Sequence, residues 1–169
     1  MHPAAPPAPA TPAAPSRRHL LRTGAALALA GLPLLPAARP QRATMQVWKS
    51  PTCGCCKDWI EIVQRAGIAV QVHDSGNVAA RERLGLPMRY ASCHTALIGG
   101  YVVEGHVPVR EIRRLLAERP AAVGIAVPGM PIGSPGMDGP IYKGLQQPYD
   151  VLLVQRDGSA RVFASYHKR

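Results

Sequence analysis

The stretch SPTCGCCKDW, residues 50–59, carries three of the chain's four cysteines, Cys53, Cys55 and Cys56, within four positions. Cys53 and Cys56 form a C-x-x-C, the spacing of a redox dithiol, and Cys55 is an additional thiol between them. Just before it, MQVWK (45–49) alternates and is rich in strand formers, which predicts a strand. SPTCG reads as a turn. From about Cys55 to Arg65, Trp59, Ile60 and Val63 make an apolar helical stripe that Gly67 closes as a C-terminal cap. The cysteines therefore lie where a strand turns into a helix. Helix N-termini present free N–H groups and a positive dipole end, which favour thiolates, and Lys57 adds a positive charge nearby.

Outward from this unit, IAVQVHD (68–74) reads as a second strand. Asn77 is a candidate cap for a short helix, VAARERLG, that ends at Gly85. LPMRYASC reads as a loop. HTALIGG (94–100) and YVVEGH (101–106) read as two strands around a Gly-Gly turn. Pro108 opens another helix, VREIRRLLAER, with Ile112, Leu115 and Leu116 on one face, and Pro120 stops it. The order β-α-β-α-β-β-α, with C-x-x-C after the first strand, resembles the thioredoxin-like or glutaredoxin-like arrangement, an α/β central sheet with flanking helices. Residues 121–148 are dense in Gly and Pro and break this pattern. A loop of that length is usually functional or disordered. Met130 and Met137, in PGMP and PGMD, favour an ordered, wrapped loop. DVLLVQ and RVFASY then predict a final hairpin around Asp157-Gly158, added to the sheet edge or packed beside it.

The first 38 residues read as something other than fold. MHPAAPPAPATPAAP is an Ala/Pro low-complexity leader. Ser16-Arg17-Arg18, followed by Leu20, Leu21 and Arg22, resembles a twin-arginine export signal. The apolar run from about Ala25 to Ala38 is too short and too broken by Pro33 and Pro36 to span a bilayer, and suits a signal h-region. Residues 39–169 are then expected to form one exported domain with no lasting membrane insertion. The formal charge is +10, or +7 without Arg17, Arg18 and Arg22. The basic residues, including RER at 81–83, are scattered with no aromatic interleaving and only one Phe. That pattern reads as solvated surface and argues against nucleic-acid binding.

The second chemical motif is SCHTA (92–96). A thioredoxin-like redox enzyme carries a cis-proline just before its third strand, facing the C-x-x-C. Cys93-His94 occupies that position here, so a docking proline is replaced by a thiol and an imidazole. Adjacent Cys55 and Cys56 cannot bridge comfortably, whereas Cys53–Cys56, or one of the cluster with Cys93, can. Three to four thiolates with an imidazole suit Cu(I) or Zn. The spacing lacks the paired Cys or His ligands of a closed structural zinc site. Crowded thiolates suit Cu(I), and Met130 and Met137 could add thioethers. His106, in EGHVP, is a further candidate ligand, and Glu104 reads as a supporting or surface carboxylate. His73 and His167 read as surface, Met88 and Tyr90 as packing under the site.

MQVWKSPTCGCCKDW, SCHTALIGGYVVEGHVP and AVPGMPIGSPGM together resemble the CopG-like family of periplasmic copper-resistance proteins, over about residues 45–166. The resemblance implies a thioredoxin-like fold, a periplasmic location and copper, mainly Cu(I) and in one ion or several, at a cysteine-rich site. It also implies a copper redox role. The positions that carry over as metal ligands are Cys53, Cys55, Cys56, Cys93, His94, His106, Met130 and Met137. Two alternatives stay open. One is a thiol-disulfide oxidoreductase with Cys53 as nucleophile and Cys56 as resolving thiol. The other is a metallochaperone that hands copper to another periplasmic copper-handling protein.

Overall fold

The computed structural model describes residues 43–168. The low-complexity leader and the twin-arginine-like segment lie outside the described residues. The elements run β1 (Met45–Lys49), α1 (Gly54–Arg65), β2 (Val70–His73), α2 (Asn77–Arg83), β3 (His94–Ile98), β4 (Tyr101–Glu104), α3 (Val109–Glu118), β5 (Gly124–Ala126), β6 (Tyr149–Val154) and β7 (Ala160–Tyr166). The expected β-α-β-α-β-β-α series is present.

One seven-stranded mixed sheet has the order β2-β1-β3-β4-β5-β6-β7. β1 pairs in parallel with β2 and antiparallel with β3, so the C-terminal end of β1 meets the start of β3. The register sets Lys49 opposite His94. That single fact brings SPTCGCC and SCHTA to the same end of the sheet. The β3–β4 connection is Gly99-Gly100, with φ of +57° and +86°. Two consecutive left-handed positions are what a two-residue hairpin of matching twist requires, and glycine supplies them. β5 is not apparent from the sequence: it pairs in parallel with β4 and recruits the C-terminal hairpin into the same sheet.

Side chains on successive strand residues point to opposite faces. Val103, Ile125 and Leu153 enter a large core with Trp59, Ile60 and Val63 of α1 and Ile112 and Leu115 of α3. Val102, Ala126 and Val154 enter a smaller cluster with Leu86 on the other face. Each fully buried aliphatic side chain contributes about 1.5–3 kcal/mol of transfer free energy. Trp59 is wholly buried, and its indole N–H donates to the Val107 carbonyl at 2.9 Å. This seats α1 against the strand-to-helix corner that carries His106.

The α2 region departs from expectation in two ways. Gly76, not Asn77, is its N-cap. Asn77 instead donates its side-chain amide to the Cys93 carbonyl at 3.3 Å. Arg81, expected as solvated surface, is only 2% exposed. A carboxylate on β4 draws it inward, as described next.

Candidate metal centre

β1 stops at Lys49, whose ammonium binds Asp74 at 2.6 Å and the Ser50 carbonyl at 3.1 Å. The Ser50–Cys53 turn follows, closed by Cys53 N–H to Ser50 O at 3.1 Å. Cys53 is the N-cap of α1, and Cys55 and Cys56 lie in its first turn. Cys53 and Cys56 form a disulfide with Cα atoms 5.3 Å apart, inside the usual span for such a bond. Cys55 and Cys93 are free thiols. Cys55 Sγ is 3.6 Å from Cys53 Sγ.

Cys93 approaches from the start of β3. Its sulfur is 3.4 Å from Cys56 Sγ, 3.3 Å from His94 Nδ1 and 3.0 Å from His106 Nε2. The four sulfurs lie within 4.8 Å of one another, and so do the donor atoms of Cys93, His94 and His106. Cys93 belongs to both groups. Six of the eight residues expected as ligands are thus brought together.

Both imidazoles are neutral. His106 is buried, and its Nδ1 lies 2.8 Å from the Pro135 carbonyl. A carbonyl can only accept, so Nδ1 carries the proton and Nε2 offers a bare lone pair to Cys93. Burial holds His106 below the ordinary histidine range. His94 is fully buried against the Trp59 ring, centroids 4.4 Å apart. Burial, with His106 beside it, pushes its pKa down to about 3. Its Nε2 has no hydrogen-bond partner among the described residues. Buried polar atoms are normally satisfied, so the ring is one partner short at Nε2, while Nδ1 is the nitrogen that meets Cys93. Burial, then the neighbouring Cys55, pushes the Cys93 thiol up to about 12. A metal ion binding there must displace that proton.

A buried ion pair fixes the Cys93 segment. Glu104, fully buried on β4, accepts from Arg81 Nε at 2.9 Å and Nη2 at 2.7 Å, from Thr95 Oγ1 at 2.7 Å and from the Ser92 N–H at 2.7 Å. Arg81 Nη2 also donates to the Ser92 carbonyl at 2.9 Å. Burial raises Glu104 above the ordinary carboxylate range, and these donors work against the rise. The sequence flagged Glu104 as a supporting carboxylate but gave no sign of Arg81. Its only signal was a basic residue one helical turn inside a short helix.

The Gly/Pro loop is ordered and wraps over the site. Its start is tied to the segment before Cys93 by Gly129 N–H to Ala91 O at 3.0 Å and by the Ser92 hydroxyl to Gly129 O. Pro135 holds His106, and Gly136 presses on the first turn of α1. A Cβ on Gly136 would be 2.8 Å from Cys55 O and 2.8 Å from Trp59 N, and its φ is +81°. Met137 is buried, and its sulfur accepts the Tyr142 hydroxyl at 3.3 Å. Met130 is half-exposed.

Other placements differ from expectation. Met88, expected beneath the site, is exposed, and Tyr90 turns away to donate to Gly158 O at 3.1 Å. His73, expected at the surface, is partly buried and stacks on Trp48 at 5.0 Å. His167 is also partly buried, with Nε2 3.3 Å from Gly133 O.

Comparison with known proteins yields two kinds of similarity. A family model described as a protein of unknown function, DUF411, matches residues 90–137. Two solved structures of copper resistance protein CopG, forms 1 and 2, are each 43% identical. They cover 75% of this chain and 98% and 99% of their own, with TM-scores of 0.68 and 0.69. No curated protein matches.

Proposed function

The chain belongs to the family of copper resistance protein CopG, and we propose that it binds copper in the periplasm as part of copper resistance. The proposed cargo is Cu(I), held by the thiolates of Cys53, Cys55, Cys56 and Cys93 together with His94 and His106. The observation that carries this reading is the position of Cys93, whose sulfur is shared by a four-sulfur group and a Cys-His-His group. Thiolates select Cu(I), and neutral imidazole suits several first-row metals, Cu among them. A shared thiolate can bridge two ions, so the pocket suits more than one copper. The mixed donor set also suits passage between Cu(I) and Cu(II). Of the two methionines, Met137 is engaged by Tyr142 and buried, whereas Met130 keeps an exposed thioether. The inner ligand set is therefore drawn without them.

Full use of the four thiolates requires a two-electron reductant to open the Cys53–Cys56 disulfide, which releases two thiolates. Residues 1–38 are proposed to act as the export signal, and 39–169 as the copper-binding domain. Among the described residues no helix is long and apolar enough to cross a membrane.

The disulfide itself favours a second reading, a thiol-disulfide oxidoreductase that uses Cys53 and Cys56. Two measurements separate the readings. Reduced protein is titrated with Cu(I) against a competing chelator, expecting tight uptake that falls sharply in Cys93→Ser. Uptake unchanged by Cys93→Ser would remove the junction as drawn. Insulin reduction that needs Cys53 and ignores copper would promote the second reading. Copper passed by direct contact to an acceptor protein would indicate a chaperone.

A further inference from the structure

Two free thiols flank the one disulfide. Cys93 Sγ is 3.4 Å from Cys56 Sγ, and Cys55 Sγ is 3.6 Å from Cys53 Sγ, while Cys53 and Cys56 are bonded. Cys93 stands 37 residues away in the chain from Cys56 and reaches it across the end of the sheet. Its backbone is fixed by Asn77 on its own carbonyl and by Arg81 and Glu104 on Ser92. It is therefore a positioned thiol rather than a mobile one. The attacking species in exchange is the thiolate, so Cys93 reacts in the small fraction of chains in which it has lost its proton, and its near-contact distance from a disulfide sulfur is the starting geometry for that step.

We propose that Cys93 is a third member of the redox thiol system and exchanges into the Cys53–Cys56 disulfide to form Cys56–Cys93. The Cys93–Cys56 bond forms as the Cys53–Cys56 bond breaks. The electron pair of the broken bond stays on Cys53, and the proton lost by Cys93 ends there. The step is redox-neutral and needs no outside reagent.

The two isomers differ in what they leave free. With Cys53–Cys56 closed, Cys93 remains beside His94 and His106. With Cys56–Cys93 closed, it is withdrawn from both donor groups, α1 is covalently tied to the start of β3, and Cys53 and Cys55 become a pair of adjacent free thiols. The inference stands on sulfur geometry alone and holds whatever the metal cargo is.

The test uses metal-free protein carrying one disulfide per chain. It is quenched in acid, unfolded, alkylated at its free thiols and digested with trypsin without reduction. Cleavage after Lys49, Lys57, Arg89 and Arg110 puts Cys53, Cys55 and Cys56 on one peptide and Cys93 on another. Cys56–Cys93 links the two peptides, whereas Cys53–Cys56 and Cys53–Cys55 do not. The linked pair is expected in the wild type and as the dominant product of mild oxidation in Cys53→Ser, where Cys55 is found alkylated. Cys93→Ser is expected to lose the link and keep Cys53–Cys56. Absence of the linked pair from the wild type overturns the proposal. So does a Cys53→Ser product in which Cys55 is the residue joined to Cys93.

Discussion

Arg81 and Glu104 form a buried ion pair, 2.7 Å at its shortest, and between them they hold both backbone groups of Ser92, the residue before Cys93. Removing one partner of a buried pair leaves an uncompensated charge and costs about 3–5 kcal/mol. Arg81→Met is therefore expected to lose stability on that scale in urea unfolding. Arg81→Met combined with Glu104→Leu is expected to recover part of the loss, because no charge is then stranded. A single-variant loss within the range of an ordinary surface change would show that the pair is not structural.

Asn77 offers a milder probe of the same segment. Its amide donates only to the Cys93 carbonyl. Asn77→Ala is expected to cost about 1 kcal/mol of stability. It should weaken Cu(I) binding about 10-fold, as supporting contacts around metal ligands typically do. Chelator competition alongside unfolding curves checks both numbers.

His94 gives the metal-free protein an acid-sensitive stability. Its folded pKa is pushed down to about 3 from an ordinary 6.5. Between those values the unfolded chain binds a proton that the folded ring refuses, so stability falls as pH drops below 6.5. One such histidine contributes at most about 1.4 kcal/mol per pH unit. The contribution is constant above 6.5 and is fully spent near pH 3. His106 shifts in the same direction and adds to the slope. Unfolding at pH 7, 6 and 5 should show the trend, and His94→Phe should flatten it. Equal slopes for both proteins would remove His94 as the source.

Gly136 is where the wrapped loop meets α1. Gly136→Ala brings a Cβ to 2.8 Å from two backbone atoms at a left-handed position. Strain of this kind costs about 1–3 kcal/mol. The loop should lift, expose 127–148 to limited proteolysis and release the Pro135–His106 contact. An unchanged cleavage pattern would show that the strap tolerates the methyl group.

The thiol turn, the helix behind it and the Cys93-His94 strand were legible because each has a local cause: alternation, an apolar stripe, a glycine pair. Helix α1 begins at Gly54, one residue before the expected start. What escaped was decided by distant contacts. Nothing local marks Arg81 as buried, since its reason is a carboxylate 23 residues on. Asn77 looked like a cap because that is its usual use, yet the Cys93 carbonyl claims it. β5 is three residues long and begins with Gly124, too short for alternation to show. The tautomer of His106 depends on Pro135, 29 residues away.

Trp59 packs its ring on His94 and anchors its N–H on Val107. The chain has only two tryptophans, and Trp48 stacks on His73 instead. A bound copper ion at His94 would stand next to one indole and not be ligated beside the other. The domain therefore carries its own optical gauge. With Trp48→Phe in place, the emission of Trp59 alone should dim as the centre fills and recover when a chelator empties it, reporting occupancy without any added dye.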